Sequence, residues 1–395
     1  MKKATREDTK AHNYQLVRKT IYSHVEISRA DVARLTGLTR TTVSDVIGDL
    51  IGDGLVAEVG VGPSIGGKPP ILLRVVDDSR CLIGVDLADS EFRGALINLR
   101  GVVRHRVSLP VRDRDGDAAL ALLYELVDSL IAQANRPLAG IGIGTPGLMD
   151  PQTRTVRQAV NLDWRDLPLG DLLEQRFGPH VYIANDSQVA AMAECIFGSG
   201  RGASNLVVIK VARGIGAGIV IGGEIYYGDG FGAGEIGHVA VVENGEECRC
   251  GHFGCLETVS SCRAIEEQAR SAARRDPDSI YHRLAQSPEA IDIDAVARAF
   301  EAGDEATRRI VEKAGFYLGV AVANLVGALN IERVVIAGTI ACFGPALLHP
   351  IREQVDRRSL DILARKTVVS LSELGPDIVS LGAAALLLSS GLGLV

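Results

Sequence analysis

No apolar run in these 395 residues reaches the roughly 18 that a membrane-spanning helix requires. The segment MKKATREDTK is charged, and it leads into AHNYQLVRK instead of the apolar core of a secretory leader. Both absences point to a cytoplasmic chain with no membrane span. The tail GAAALLLSSGLGLV is apolar but short, and it reads as a buried terminal helix. Cysteine is scarce, with seven in all. In a cytoplasmic chain so few cysteines exclude a disulfide framework and favour reduced thiols or a metal site. A general excess of positive charge is also lacking: the net charge is −7. It is unevenly spread, however. Residues 1–76 hold 11 Lys and Arg against 8 Asp and Glu, leaving 31 against 41 in the rest, or +3 and −10. The front end is therefore the part suited to meeting an anion. With 47% hydrophobic and 23% charged residues, the length suits two or three soluble cores.

What is present begins with ISRADVARLTGLTRTTVSDVIGDLIGDGLVAEVG. Ser28 is placed to cap a short helix whose apolar side is Val32, Ala33 and Leu35. Gly37 supplies the left-handed turn of a helix-turn-helix, and Leu38 anchors it. Thr39 caps a second helix with Val43, Val46, Ile47 and Leu50 at helical spacing. Its leading exposed positions are Thr39, Arg40, Thr41, Thr42 and Ser44, which suits a helix entering a major groove by its N-terminus. Two β-prone runs follow, Leu55–Val59 and Ile71–Val75, around a Gly/Pro-rich tip bearing Lys68. That pattern is a β-wing whose lysine can reach phosphate or a minor groove. Residues 4–26 read as a preceding helix with Leu16, Val17 and Ile21 inward. Residues 1–76 are thus expected to form a winged helix-turn-helix that binds double-stranded DNA.

From residue 81 the texture becomes α/β. Residues 81–111 read as a three-strand meander, followed by a helix near 117–134 and the strand LAGIGIGTPGLMD. NLVVIKVARGIGAGIVIGGEIYYG repeats the theme, and a helix near 305–329 leads to the strand RVVIAGTI. Two α/β lobes with a cleft between them are expected over 80–395. The motifs GIGIGTPGLMD, NLDWRDLPL, NDSQVAAMAE, ARGIGAGIVIGGEI, GEIGHVAV and CRCGHFGCLE, in this order and spacing, resemble the ROK family (repressors, open reading frames, kinases). The winged helix in front resembles that of the family's sugar-responsive repressors. The resemblance implies an actin-like, RNase H-like fold in two lobes, and a homo-oligomer, dimer or tetramer.

Cys248, Cys250 and Cys255 form the pattern C-x-C-x4-C. Zinc takes four such ligands in a closed structural site. His252, inside the knot, and His238, ten residues before it, are both available as the fourth. The family resemblance favours His238.

Sugar hydroxyls need carboxylates, amides and imidazoles that accept and donate in pairs. Asn161, Asn185, Asp186, Glu235, His238 and Glu257 match the family's sugar-binding positions, and Gly144, Pro146 and Gly147 would let backbone approach the ligand. In the family's kinases the position of Asp186 is the general base. The early phosphate loop of those kinases, D-x-G-G-T-K or similar, is here DLADSE, with Ala88 and Asp89 for the glycines and Glu91 at the basic end. An aspartate and a glutamate there are expected to repel phosphate. The second phosphate loop, ARGIGAG, keeps Gly214, Gly216 and Gly218 but has Ala212 and Arg213 where kinases usually carry Gly–Thr, and it reads as a tight hairpin. The expectation is a nucleoid-associated DNA-binding regulator of sugar-utilisation genes, acting as a repressor, with structural zinc and a sugar or sugar-phosphate effector. It is not expected to be an enzyme, and docking of another protein is compatible with it. The alternative is an ATP-dependent sugar kinase carrying an accessory DNA-binding head.

Overall fold

The computed structural model describes residues 6–63, 69–178 and 180–395. Helix α1 (Arg6–Tyr22) buries Val17 and Ile21, while Leu16 is only half-buried. Helix α2 (Arg29–Thr36) starts where the Ser28 hydroxyl accepts from the Asp31 backbone N–H. It ends at Gly37, whose φ of 71° favours glycine. Helix α3 (Arg40–Gly52) starts under Thr39, whose hydroxyl accepts from the Thr42 N–H, and it buries Val43, Val46, Ile47 and Leu50. Strands β1 (Ile27–Ser28), β2 (Val56–Val61) and β3 (Ile71–Val75) form an antiparallel sheet in the order β1-β3-β2. Two expectations need correction. Leu35 is half exposed, because an eight-residue helix fills its inward face with Val32 and Ala33. The wing strand runs to Val61, two residues beyond the expected end. Lys68 lies outside the described residues.

The body contains two five-stranded sheets. In the first, β4 (Cys81–Leu87), β5 (Glu91–Asn98) and β6 (Val103–Pro110) form the expected meander. Helix α4 (Gly116–Gln133) covers it, and β7 (Leu138–Thr145) returns parallel to β4. A small sheet of β8 (Leu148–Asp150), β9 (Thr155–Ala159) and β10 (Trp164–Leu167) projects from its end. After helix α5 (Leu169–Phe177), β11 (Val181–Asn185) completes the order β11-β7-β4-β5-β6. Helix α6 (Asp186–Ile196) follows at once. The second sheet has the order β14-β13-β12-β15-β16, from β12 (Leu206–Val211), β13 (Ile215–Ile221), β14 (Glu224–Ile225), β15 (Arg333–Ala337) and β16 (Val368–Leu371). Antiparallel hairpins followed by parallel returns occur in both, so the internal symmetry expected from sequence is realised.

Helix Glu305–Leu329 is the longest described helix. Its charges are confined to the first turns, and by length and composition it could cross a membrane. Here it is a core helix of the second lobe. A Cβ on Gly315 would lie 2.6 Å from the Leu347 carbonyl oxygen of the neighbouring helix Pro345–Arg358.

Helix Ile378–Leu386 is gripped from two sides. A Cβ on Gly84 or Gly142 of the first sheet would come within 2.0 Å of the carbonyl oxygens of Ser380 and Ala383 respectively. A Cβ on Gly382 would come within 1.8 Å of Val189 O on α6. The tail beyond it carries Leu394 into the same core as Val17 and Ile21 of α1 and Ile97 and Leu99 of the first lobe. The junction is also hydrogen-bonded. Tyr22 Oη donates to Leu99 O at 2.6 Å, Arg100 Nη1 donates to Tyr22 O at 2.7 Å, and Arg80 Nη2 donates to Asp53 O at 2.9 Å.

Candidate functional site

The cysteine loop is folded back on itself by two bridges, Ala240 with Cys255 and Glu247 with Phe253, and turns at Gly251 and Gly254. It brings the ligand atoms of His238, Cys248, Cys250 and Cys255 within 4.8 Å of one another. Cys250 Sγ and Cys255 Sγ are 3.7 Å apart, and Cys248 Sγ and His238 Nδ1 are 3.6 Å apart. Zn–S bonds of about 2.3 Å in a tetrahedron have edges of about 3.8 Å. The donor set and its spacing therefore fit a metal ion. His252 stands exposed on the outside, with Nδ1 3.7 Å from Cys250 Sγ, and does not join the four.

A polar cluster forms where β4, α6 and β12 come together. Asn185 closes β11 and caps α6: its Oδ1 accepts from the Ser187 N–H at 2.9 Å, and its Nδ2 donates to Gly147 O at 3.0 Å. This residue thereby pins the GTPG turn to the helix. Next to it, Asp186 Oδ2 accepts from Lys210 Nζ at 2.7 Å, and both side chains are largely buried. Asp86, on β4, is buried beside them, and its Oδ1 has no hydrogen-bond partner among the described residues. Burial pushes the Asp86 carboxyl up to about 6; Lys210 opposes this and Asp186 adds to it. Burial acts to lower the Lys210 ammonium, but Asp186 and Asp86 outweigh it and hold the group above its ordinary value.

Glu235 and Glu257 line the same region. Burial raises the Glu235 carboxyl; His238 opposes that shift, while Asp186 and Glu257 reinforce it. Glu257 Oε2 accepts from the Ile215 N–H at 3.1 Å, fixing the start of β13. The His238 ring joins two features: Nδ1 faces Cys248, and Nε2 lies 4.0 Å from Glu235 Oε2.

Asn161 sits on the single turn Val160–Leu162 and donates from Nδ2 to Asp89 Oδ1 at 3.3 Å. The other oxygen of Asp89 pairs with Arg213 Nε. Asp89 lies in the β4–β5 turn and Arg213 in the β12–β13 turn, so this ion pair crosses from one sheet to the other. Glu91 is turned away, paired with Arg93 at 2.6 Å and accepting from Ser108. The two carboxylates expected to repel phosphate are thus each paired with an arginine. The ARGIGAG segment is the tight hairpin expected, with the Ala212 N–H donating to Gly214 O at 2.9 Å. Sequence reasoning missed Asp86 and Lys210, and with them the partnership of Asp89 and Arg213. The signal was a lone lysine inside the apolar strand LVVIKV.

In the head, the Thr39 and Thr42 hydroxyls lie 2.9 Å apart within the cap. Arg40, Thr41 and Ser44 are exposed on the leading turns of α3.

The ROK family profile matches residues 82–390. This chain belongs to the ROK family. It is 32% identical over 381 residues to the xylose repressor of Caldicellulosiruptor bescii, with 95% of each chain covered. The crystal structure of a ROK family transcriptional regulator, a homolog of the E. coli MLC protein, superposes with a TM-score of 0.82 at 28% identity, covering 97% of this chain and 98% of that one. A ROK glucokinase from Streptomyces griseus, solved with glucose and AMPPNP, gives a TM-score of 0.72 at 28% identity, covering 78% of this chain and 98% of its own. The ROK fold, actin-like and α/β, is thus shared with regulators and kinases alike.

Proposed function

We propose that this ROK protein is a sugar-responsive transcriptional repressor, with residues 1–76 as its winged helix-turn-helix and 80–395 as its sensor. The observation that carries the reading is coverage. The xylose repressor and the regulator match nearly the whole chain, head included, whereas the glucokinase matches 78% of it. Arg40, Thr41 and Ser44 would read base edges, with Thr39 and Thr42 shaping the cap that presents them. Asn161, Asp186, Glu235, His238 and Glu257 would meet sugar hydroxyls, with Asn185 holding the turn beneath. Zinc would be held by His238, Cys248, Cys250 and Cys255, in a closed structural site. Two copies would be needed to span a two-fold operator.

The cleft supports sensing over phosphoryl transfer. Asp186 is already engaged by the Lys210 ammonium at 2.7 Å, and Asp89 with Arg213 occupies the two turns that correspond to the kinases' phosphate loops.

The test is selection of genomic fragments by the purified protein at moderate salt, followed by release with a panel of sugars. Retained fragments near sugar-utilisation genes, released by one sugar, are expected; no retention would sink the reading. The kinase alternative rests on the body's likeness to the glucokinase. Robust ATP turnover with a hexose, abolished by Asp186→Asn, would establish it instead.

A further inference from the structure

We propose that a second ligand site, for the phosphate group of a small metabolite, lies at the junction of the head and the first lobe. A cavity of about 430 Å³ opens there, a volume suited to a small molecule. It sits beside Cys81, at the N-terminal end of β4, and is bordered by β6 and the end of α4. Asp86 lies near the other end of β4, roughly 16 Å away at about 3.3 Å per strand residue. The cavity is therefore separate from the charged cluster between the two sheets.

The body carries an excess of negative charge, yet this cavity has the opposite sign. Arg80, Arg104 and Arg136 border it against one carboxylate, Asp78, which leaves two positive charges over. The neighbouring acid, Asp77, is answered by Arg100. A phosphate monoester carries about −1.5 to −2 at neutral pH and matches that excess, whereas a carboxylate carries a single charge. The β5–β6 ladder shifts register at this point. Leu96 pairs with His105 and Ile97 with Val103, so Arg104 is an extra residue in its strand. Such a bulge re-aims a side chain, and here Arg104 and His105 both border the cavity.

Each arginine keeps donors in reserve. Arg104 uses Nε and Nη2 on Asp78, at 2.9 and 2.6 Å, leaving Nη1. Arg80 uses Nη1 on Ser79 O and Nη2 on Asp53 O, leaving Nε. Arg136 acts on Asp78 through space and makes no side-chain hydrogen bond among the described residues. A phosphate group can thus be taken up without breaking the Arg104–Asp78 pair or the tie from Arg80 to the head.

The experiment is calorimetric titration of the full chain, at constant ionic strength, with inorganic phosphate, glycerol 3-phosphate and acetate. At least one phosphate probe should saturate, at least about tenfold tighter than acetate. Arg136→Gln, at an exposed position, should weaken that probe by about tenfold. Arg309→Gln, which removes an exposed arginine of helix Glu305–Leu329, should leave it unchanged. Thermal melts matching the unaltered chain establish that both variants are folded. No saturation by either phosphate probe overturns the site. Undiminished binding in Arg136→Gln puts the phosphate elsewhere and overturns it as well. Equal losses in the two variants mean a diffuse charge effect and are equally fatal. Acetate binding as tight as phosphate overturns the assignment to phosphate. None of these outcomes bears on the sugar-sensor reading, which is tested by operator release.

Discussion

Lys210 Nζ lies 2.7 Å from Asp186 Oδ2, with the buried carboxylate of Asp86 beside the pair. One ammonium on a strand of the second lobe thus serves two aspartates of the first. Lys210→Met would leave two like charges facing each other without a cation. The expected loss is about 3–5 kcal/mol in urea unfolding. Combining it with Asp186→Asn should recover about 1–3 kcal/mol relative to the sum of the single changes. Simple additivity would mean that the pair is not coupled.

Asp86 gives the fold a pH dependence of unusual sign for a carboxylate. Its folded value of about 6 lies above the ordinary value of 3.8, so the folded chain takes up this proton first. Stability from this group therefore falls as pH rises between about 4 and 6, and the deficit persists above that window. Lys210, Asp186, Arg93 and Glu91 are the charged groups acting on it. Asp86→Asn should raise stability at pH 7.5 by roughly 2 kcal/mol, with the gain shrinking towards pH 4.5. Denaturation midpoints at the two pH values check this. A gain that grows on acidification would contradict it.

The cysteine loop and Glu235 meet at the His238 ring. Metal analysis should find about one zinc per chain. Cys250→Ala should lower the melting temperature and weaken sugar binding by about tenfold, because the ring that faces Glu235 loses its anchor. Unchanged sugar affinity in a zinc-free, folded variant would separate the two sites.

Arg40 is the exposed cation at the leading turn of α3. Arg40→Ala should cost about 1–3 kcal/mol of operator binding if the guanidinium reads a base. A uniform loss over all sequences, with a salt slope reduced by about 1, would mark it as a phosphate contact. Sugar binding measured by calorimetry should not change in either case.

Two helical glycines should respond in opposite ways to alanine. Gly327 is exposed, with open space where a Cβ would stand, so Gly327→Ala should stabilise by roughly 0.5–1 kcal/mol. Gly382 faces Val189 O at 1.8 Å from the ideal Cβ position, so Gly382→Ala forces helix Ile378–Leu386 away from α6. A loss of roughly 3 kcal/mol, or insoluble protein, is expected. Thermal melts of the two variants side by side test both.

The head was legible in sequence because its signals are local. Ser28, Gly37 and Thr39 each act within a few residues, and the structure gives each the expected cap or turn. The meander and the hairpin of ARGIGAG were legible for the same reason. The four metal-ligand candidates lie within eighteen residues, so their cluster was also within reach. The charged cluster between the two sheets was legible only in part. Asp89 and Arg213 are 124 positions apart, and Lys210 is equally remote from Asp86. Composition showed a phosphate loop turned acidic, but not that its charge would be answered from the other lobe. Leu35 was misplaced because a helix of eight residues has too narrow an inward face for three apolar side chains.

The shared core of Val17, Ile21, Leu99 and Leu394 means that the compositional break near residue 77 is no hinge. The head rides on the first lobe as a fixed fitting, bolted by Tyr22, Arg100 and Arg80. In a paired assembly, the distance between two such heads would be dictated by how the bodies associate, with no slack from a tether. Tolerance to inserted base pairs between operator half-sites should accordingly be low.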